Sequence, residues 1–288
     1  MKHILLFLFF LTSLFALEYK ISSHTTANAK TLYFEFDKVR GVTYDKLVVG
    51  KRSYSVFNHP LKREKLYALL PTSYYISPKK EQIKLFYKKG SYEMSEVISL
   101  EVKDAGYKKE KIVVQKSKVN PKSKAVKKRT SREYKEAMDI YGRATRKSYI
   151  SSAFIMPMHS KITSAFGTAR VYNGSLKGYH SGTDFRAKVG TPIIAVNDGK
   201  VVLAQDRFYA GNSVIIDHGQ GIYSCYYHLS KFKVRKGEMV KKGELIGLSG
   251  ATGRITGPHL HFSVRVGGLQ VDPLQFIELV NKNIFKEN

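Results

Sequence analysis

The chain has 288 residues, 43% of them hydrophobic and 25% charged, enough for one large or two modest domains and too apolar for overall disorder. Its 49 Lys and Arg against 23 Asp and Glu give a net charge of +26, which favours anionic surfaces as partners. A single cysteine, Cys225, excludes an internal disulfide and a thiolate-closed structural zinc site, and reads as a buried strand thiol.

Residues 1–16 read as a signal peptide: Lys2, an apolar run from Ile4 to Leu11, a break at Thr12-Ser13 and a small residue at Ala16. The run is shorter than the ~20 apolar residues of a membrane span. No stable membrane span is expected after cleavage, and the mature chain is expected across the inner membrane, in the periplasm. Residues 17–114 form a first domain of alternating segments, among them Thr31 to Phe36, Gln82 to Tyr87 and Val97 to Val102. They predict half-buried antiparallel strands in a β-sandwich-like module. His24 and His59 are isolated there and read as structural.

Residues 115–150 predict a basic linker and a short helix. Nine basic residues and no acidic one lie between Glu110 and Glu133, a solvated run suited to anionic envelope polymers. It lacks the interleaved aromatics of a nucleic-acid surface, so no nucleic acid is expected. Ser131 is placed to cap a helix through Tyr141, with Tyr134, Met138 and Tyr141 on one packing face. A second domain spans 151–275, rich in glycine-punctuated strands, and 276–288 reads as a tail. The fold expected is mainly β, its second half an antiparallel sheet with an open groove.

Six of the nine histidines lie between His159 and His261. In His259-Leu260-His261, at the start of an alternating run to Val266, the two imidazoles at i and i+2 project from one strand face. One can bind metal while the other stands beside it. In His180-Ser-Gly-Thr-Asp184, Gly182 argues against helix and leaves both ligand types on one side of an extended segment. Nitrogens from His180 and His261 with an oxygen from Asp184 make three protein ligands for a zinc ion (Zn2+) and leave a fourth position open, the catalytic pattern. Alternation puts Ser224, Tyr226 and His228 on one strand face, from which His228 could meet the site. His218, in Asp217-His-Gly-Gln-Gly221, reads as part of a tight hairpin.

From about Ile155 to Pro273 the sequence resembles the lysostaphin/LytM-type zinc endopeptidases that cut bacterial cell-wall peptide bridges. The likeness rests on Ser164-Ala-Phe-Gly167, Arg170 to Gly174, His180 to Asp184, Gly211 to Gly219, Tyr226 to Ser230 and Gly250 to His261. It implies zinc on His180, Asp184 and His261 and places the two catalytic histidines at His228 and His259. The implied substrate is a peptide crosslink of peptidoglycan, opened by a DD-endopeptidase that also trims as a DD-carboxypeptidase. His159, where many relatives have glycine, and Cys225, where they have an aliphatic residue, depart from the pattern without touching the ligands. A non-catalytic regulator of another wall hydrolase is the alternative, and such members commonly lack the ligands that are all present here. Asn173 could reach the site loop.

Overall fold

In the first hundred residues the long strands Lys79–Lys89 and Tyr92–Lys103 follow the period-two burial of their side chains, whereas Thr31–Asp37 and Lys65–Pro71 are buried almost throughout. In a computed structural model, which describes residues 17–112, 123–172 and 176–286, they form two packed sheets. Residues 1–16, part of the basic run and Asn173 lie outside the described residues. One sheet orders Tyr19–Ile21, Thr31–Asp37, Lys65–Pro71 and Phe57–Asn58; the other orders Thr25–Ala27, Tyr92–Lys103, Lys79–Lys89, Val42–Val49 and Arg52–Ser55. Leu32, Phe34 and Phe36 from the first meet Leu47, Ile83, Leu85, Ile98 and Leu100 from the second in one core.

The first sheet is buried on both faces. Tyr33, Tyr67 and Leu69 point away from the sandwich and join the core of the second domain. Tyr67 donates a buried hydrogen bond to Gln220 Oε1, Thr31 and Gln275 exchange two bonds of 3.0 Å, and Lys30 pairs with Asp272 at 2.6 Å. The strand Lys109–Ile112 then runs parallel to Ala169–Tyr172, so the exit from the sandwich is tied to a hairpin of the second domain.

The helix begins earlier than the sequence predicts. It spans Lys124–Tyr141, capped by Ser123, whose side chain accepts from Val126 N. Lysine and arginine are good helix formers, and no breaker interrupts the run before Gly142, so half of the expected linker is helical. Its buried face is Glu133, Ala137 and Tyr141 at i, i+4 and i+8. Tyr134, expected on that face, is 66% exposed.

The second domain is a twisted antiparallel sheet ordered Ile162–Ser164, Thr183–Arg186, His259–Val266, Ile222–Phe232, Gly211–Asp217, Gly199–Arg207 and Met239–Val240. One face packs on its own core, with Val214, Ile216, Tyr226, Leu260 and Phe262 all fully buried; the other carries the site and, beside it, the helix. The end of the chain is not a tail. Asp272 caps a helix over Pro273–Val280 by accepting from Leu274 N and Gln275 N, and Phe276, Val280 and Ile284 are buried in the main core. Among the described residues no helix is long and apolar enough to cross a membrane.

Candidate active site

Antiparallel register assembles the ligands. Asp184 lies directly opposite His261, and Arg186 opposite His259, so the carboxylate and both imidazoles share one face. His180 enters from the preceding turn, its backbone held by Thr168 O at 2.8 Å and by Gly167 N at 2.8 Å. Its Nδ1 donates to Ala165 O at 2.8 Å, which fixes the tautomer and turns Nε2 inward. His180 Nε2, Asp184 Oδ1 and His261 Nδ1 then form a triangle with edges of 2.8, 2.8 and 3.0 Å. Tetrahedral zinc with ligand bonds of ~2.0–2.1 Å separates its ligand atoms by roughly 3.3 Å, so the donor set and its size fit that ion.

Electrostatics favour the same occupant. Burial opposes ionisation of Asp184, but the hydrogen bonds and charges of His180 and His261 outweigh it and hold the carboxyl well below its ordinary range. Burial, opposed by Asp184, pushes His261 down, toward the neutral form a metal requires. Gly182, read from sequence only as a helix breaker, has a second role. A Cβ there would stand 2.4 Å from Phe262 O and 2.5 Å from His261 Nε2, so only glycine lets the ligand ring close over this turn.

His228 reaches the site by a route that alternation does not give. Ser224 and Tyr226 do share the core face, their hydroxyls 3.0 Å apart. After Tyr226 the strand bulges, with Tyr227 and His228 both falling between the pairs Val214↔Tyr226 and Asn212↔Leu229. His228 takes φ 63°, a left-handed conformation that costs energy and turns its ring onto the ligand face. There it lies 5.0 Å from the His259 ring and 6.1 Å from His261. Its Nδ1 donates to Thr252 O at 2.8 Å, and His259 Nδ1 donates to Gly257 O at 2.8 Å. Both therefore face the site with Nε2 lone pairs. Burial, helped by the neighbouring His261 and His259, pushes His228 down to about 3; His259 Nε2 stands 3.7 Å from Asp184 Oδ1.

All five candidate residues thus converge, and His180, Asp184 and His261 are the group among the described residues able to hold a metal. His218 stands apart, fully buried, donating from Nδ1 to Asp198 O at 2.7 Å and paired with Ser224 Oγ at 2.8 Å. Cys225 is a buried free thiol. Sequence reasoning missed Tyr227, whose ring stacks on His261 with centroids 5.4 Å apart and planes at 10°.

Three metal-type donors within reach of one ion, with two further histidines beside them on an antiparallel sheet, suit a metal-dependent hydrolase. Residues 178–273 match peptidase family M23. The chain is 44% identical over 122 residues to the peptidoglycan DD-endopeptidase ShyA of Vibrio cholerae, a match covering 41% of this chain and 28% of ShyA. It is 43% identical over 95 residues to the DD-carboxypeptidase/endopeptidase Mpg of Neisseria meningitidis, covering 33% of this chain and 22% of Mpg. The chain thus spans less than a third of the length of these relatives. A Pseudomonas aeruginosa crystal structure assigned to peptidase M23 superposes with a TM-score of 0.62 at 27% identity, covering 85% of this chain and 89% of that one.

Proposed function

We propose that the chain is a zinc-dependent peptidase of bacterial peptidoglycan, hydrolysing peptide crosslinks as a DD-endopeptidase and trimming as a DD-carboxypeptidase, in remodelling of the cell wall from the periplasm. The observation that carries this is the meeting of three metal-type donor atoms within 3.0 Å of one another with two histidines whose Nδ1 protons are committed to backbone carbonyls. Bound zinc would supply Lewis acidity toward the scissile carbonyl and a water nucleophile near pH 7. His180, Asp184 and His261 hold it. His259 accepts a proton from the attacking water through Nε2, as general base. His228 hydrogen-bonds to the developing oxyanion or that water, and the two histidines share return of the proton to the leaving amine. The basic run between Glu110 and Glu133 holds the enzyme to anionic envelope polymers.

Zinc-loaded mature protein incubated with defined muropeptides tests the reading. New monomers from dimers, or D-alanine from pentapeptide stems, should appear, stop with a chelator and resume with added zinc. Peptides left intact in the presence of zinc would sink it.

A further inference from the structure

The linker helix Lys124–Tyr141 lies on the same sheet face as the metal donors. The row Leu203, Ile215, Cys225 and Ser263 crosses four strands in register, one pleat away from His261 on the ligand face. Each of these residues is at most 1% exposed. Ala137 and Tyr141 of the helix pack in the same cluster as Leu203, Ile215 and Cys225; a bare sheet would present this row as groove floor. The helix is fastened there. Buried Glu133 accepts from Phe208 N at 3.0 Å and Arg129 Nε at 2.6 Å, Gln205 Nε2 donates to Glu136 at 2.7 Å, and the Arg265 guanidinium lies 4.1 Å over the Tyr141 ring. It also stands close to the donors: Tyr141 OH is 3.1 Å from Tyr227 OH, and Tyr227 stacks on His261. One tyrosine side chain separates a metal-type ligand from the helix.

We infer that this helix is a wall of the substrate groove that limits the substrate to a short group on one side of the scissile bond, so that the docked form trims the end of an uncrosslinked stem peptide in preference to opening a crosslink. Tyr227 stacks against His261 on this side and Tyr141 of the helix stands directly behind it, so an extended chain, at ~3.3 Å per residue, meets the helix soon after it passes the donors, whereas a crosslink continues on both sides. The inference rests on the peptidase reading and assigns the choice between its two activities to the helix.

The test is the ratio of kcat/KM for a monomeric muropeptide ending in D-alanyl-D-alanine to that for a crosslinked dimer, on the full zinc-loaded chain. The wild type should favour the monomer by about tenfold or more. Tyr141→Ala, which lowers the wall, and Glu133→Ala, which unfastens the helix away from the donors, should each narrow the ratio by raising dimer cleavage while the monomer rate holds. Equal rates on both substrates in the wild type would overturn the inference and leave the peptidase reading standing. So would a high ratio that neither variant changes. Should both variants fail to fold, the wild-type ratio decides alone. Hydrolysis of neither substrate defeats the peptidase reading and the wall with it.

Discussion

Gly182 shows how a residue with no chemistry can set the chemistry of its neighbours. The missing Cβ leaves room for the His261 ring and the Phe262 carbonyl, 2.5 and 2.4 Å from where it would stand, so Gly182→Ala must move both of them, or the turn itself. Overpacking of this kind costs about 1–3 kcal/mol. Because the ring is softer than the strand, the cost should fall on the metal. Zinc affinity measured by chelator competition should drop at least about tenfold, the range seen for groups supporting a ligand, with a smaller change in melting temperature. Unchanged zinc affinity in a folded variant would show that the turn relaxes instead. His261→Ala removes one of three donors and should abolish both stoichiometric zinc binding and hydrolysis. The convergence of His180, Asp184 and His261 was legible in the sequence because register and spacing impose their geometry: a carboxylate four residues after a histidine, and histidines at i and i+2. His228 was legible only as a candidate. Strict alternation puts it on the core face, and the bulge that reverses it leaves no mark in the pattern of polar and apolar residues.

At the scale of elements, charge misled where propensity would not have. The run Lys124 to Arg132 looks like a solvated tether, yet its residues are helix formers and Ser123 supplies the cap. The C-terminal helix was also written in the sequence: Asp272-Pro273 is a cap followed by proline at the first helical position, and Phe276, Ile277, Val280 and Ile284 follow at helical spacing. The linker helix depends on one buried carboxylate. Glu133 is 6% exposed, and its loss leaves the Phe208 amide without the acceptor it has at 3.0 Å. Glu133→Ala should therefore destabilise the fold by about 1–3 kcal/mol, read from chemical denaturation. A change below about 0.5 kcal/mol, the range of an ordinary surface substitution, would show that water replaces the clamp.

Across the whole molecule, the sandwich and the sheet domain share a core, so acid should act on both together. The two-sheet character of the first domain was readable from its alternation. Its docking was not, because Tyr33, Glu35 and Tyr67 read as polar-face residues although they are buried against the second domain or its border. Two histidines in this frame are held neutral. Burial pushes His218 down to about 4, only partly offset by Asp198, and burial with Lys62 pushes His59 down to about 4. His59 Nδ1 accepts from the Leu61 and Lys62 amides at 3.1 and 2.9 Å, and its ring packs edge-on against Tyr67 at 5.8 Å, beside the bond to Gln220. Both folded-state values lie below the ordinary histidine value of 6.5, so between these limits the unfolded chain binds protons that the folded one refuses. The stability from neutral burial is fully present above pH 6.5 and is lost as the pH falls toward about 4. For fully buried His218 the loss amounts to roughly 3 kcal/mol, at about 1.4 kcal/mol per unit. His218→Gln removes that titration. In protein stripped of metal by a chelator, so that zinc release does not contribute, its unfolding free energy should fall less steeply between pH 6.5 and 4 than the wild type's, by close to one proton. Every other group is common to both proteins and cancels in the difference. Parallel pH profiles would mean that His218 is protonated in the folded chain, and that the hairpin carrying it opens before the core does.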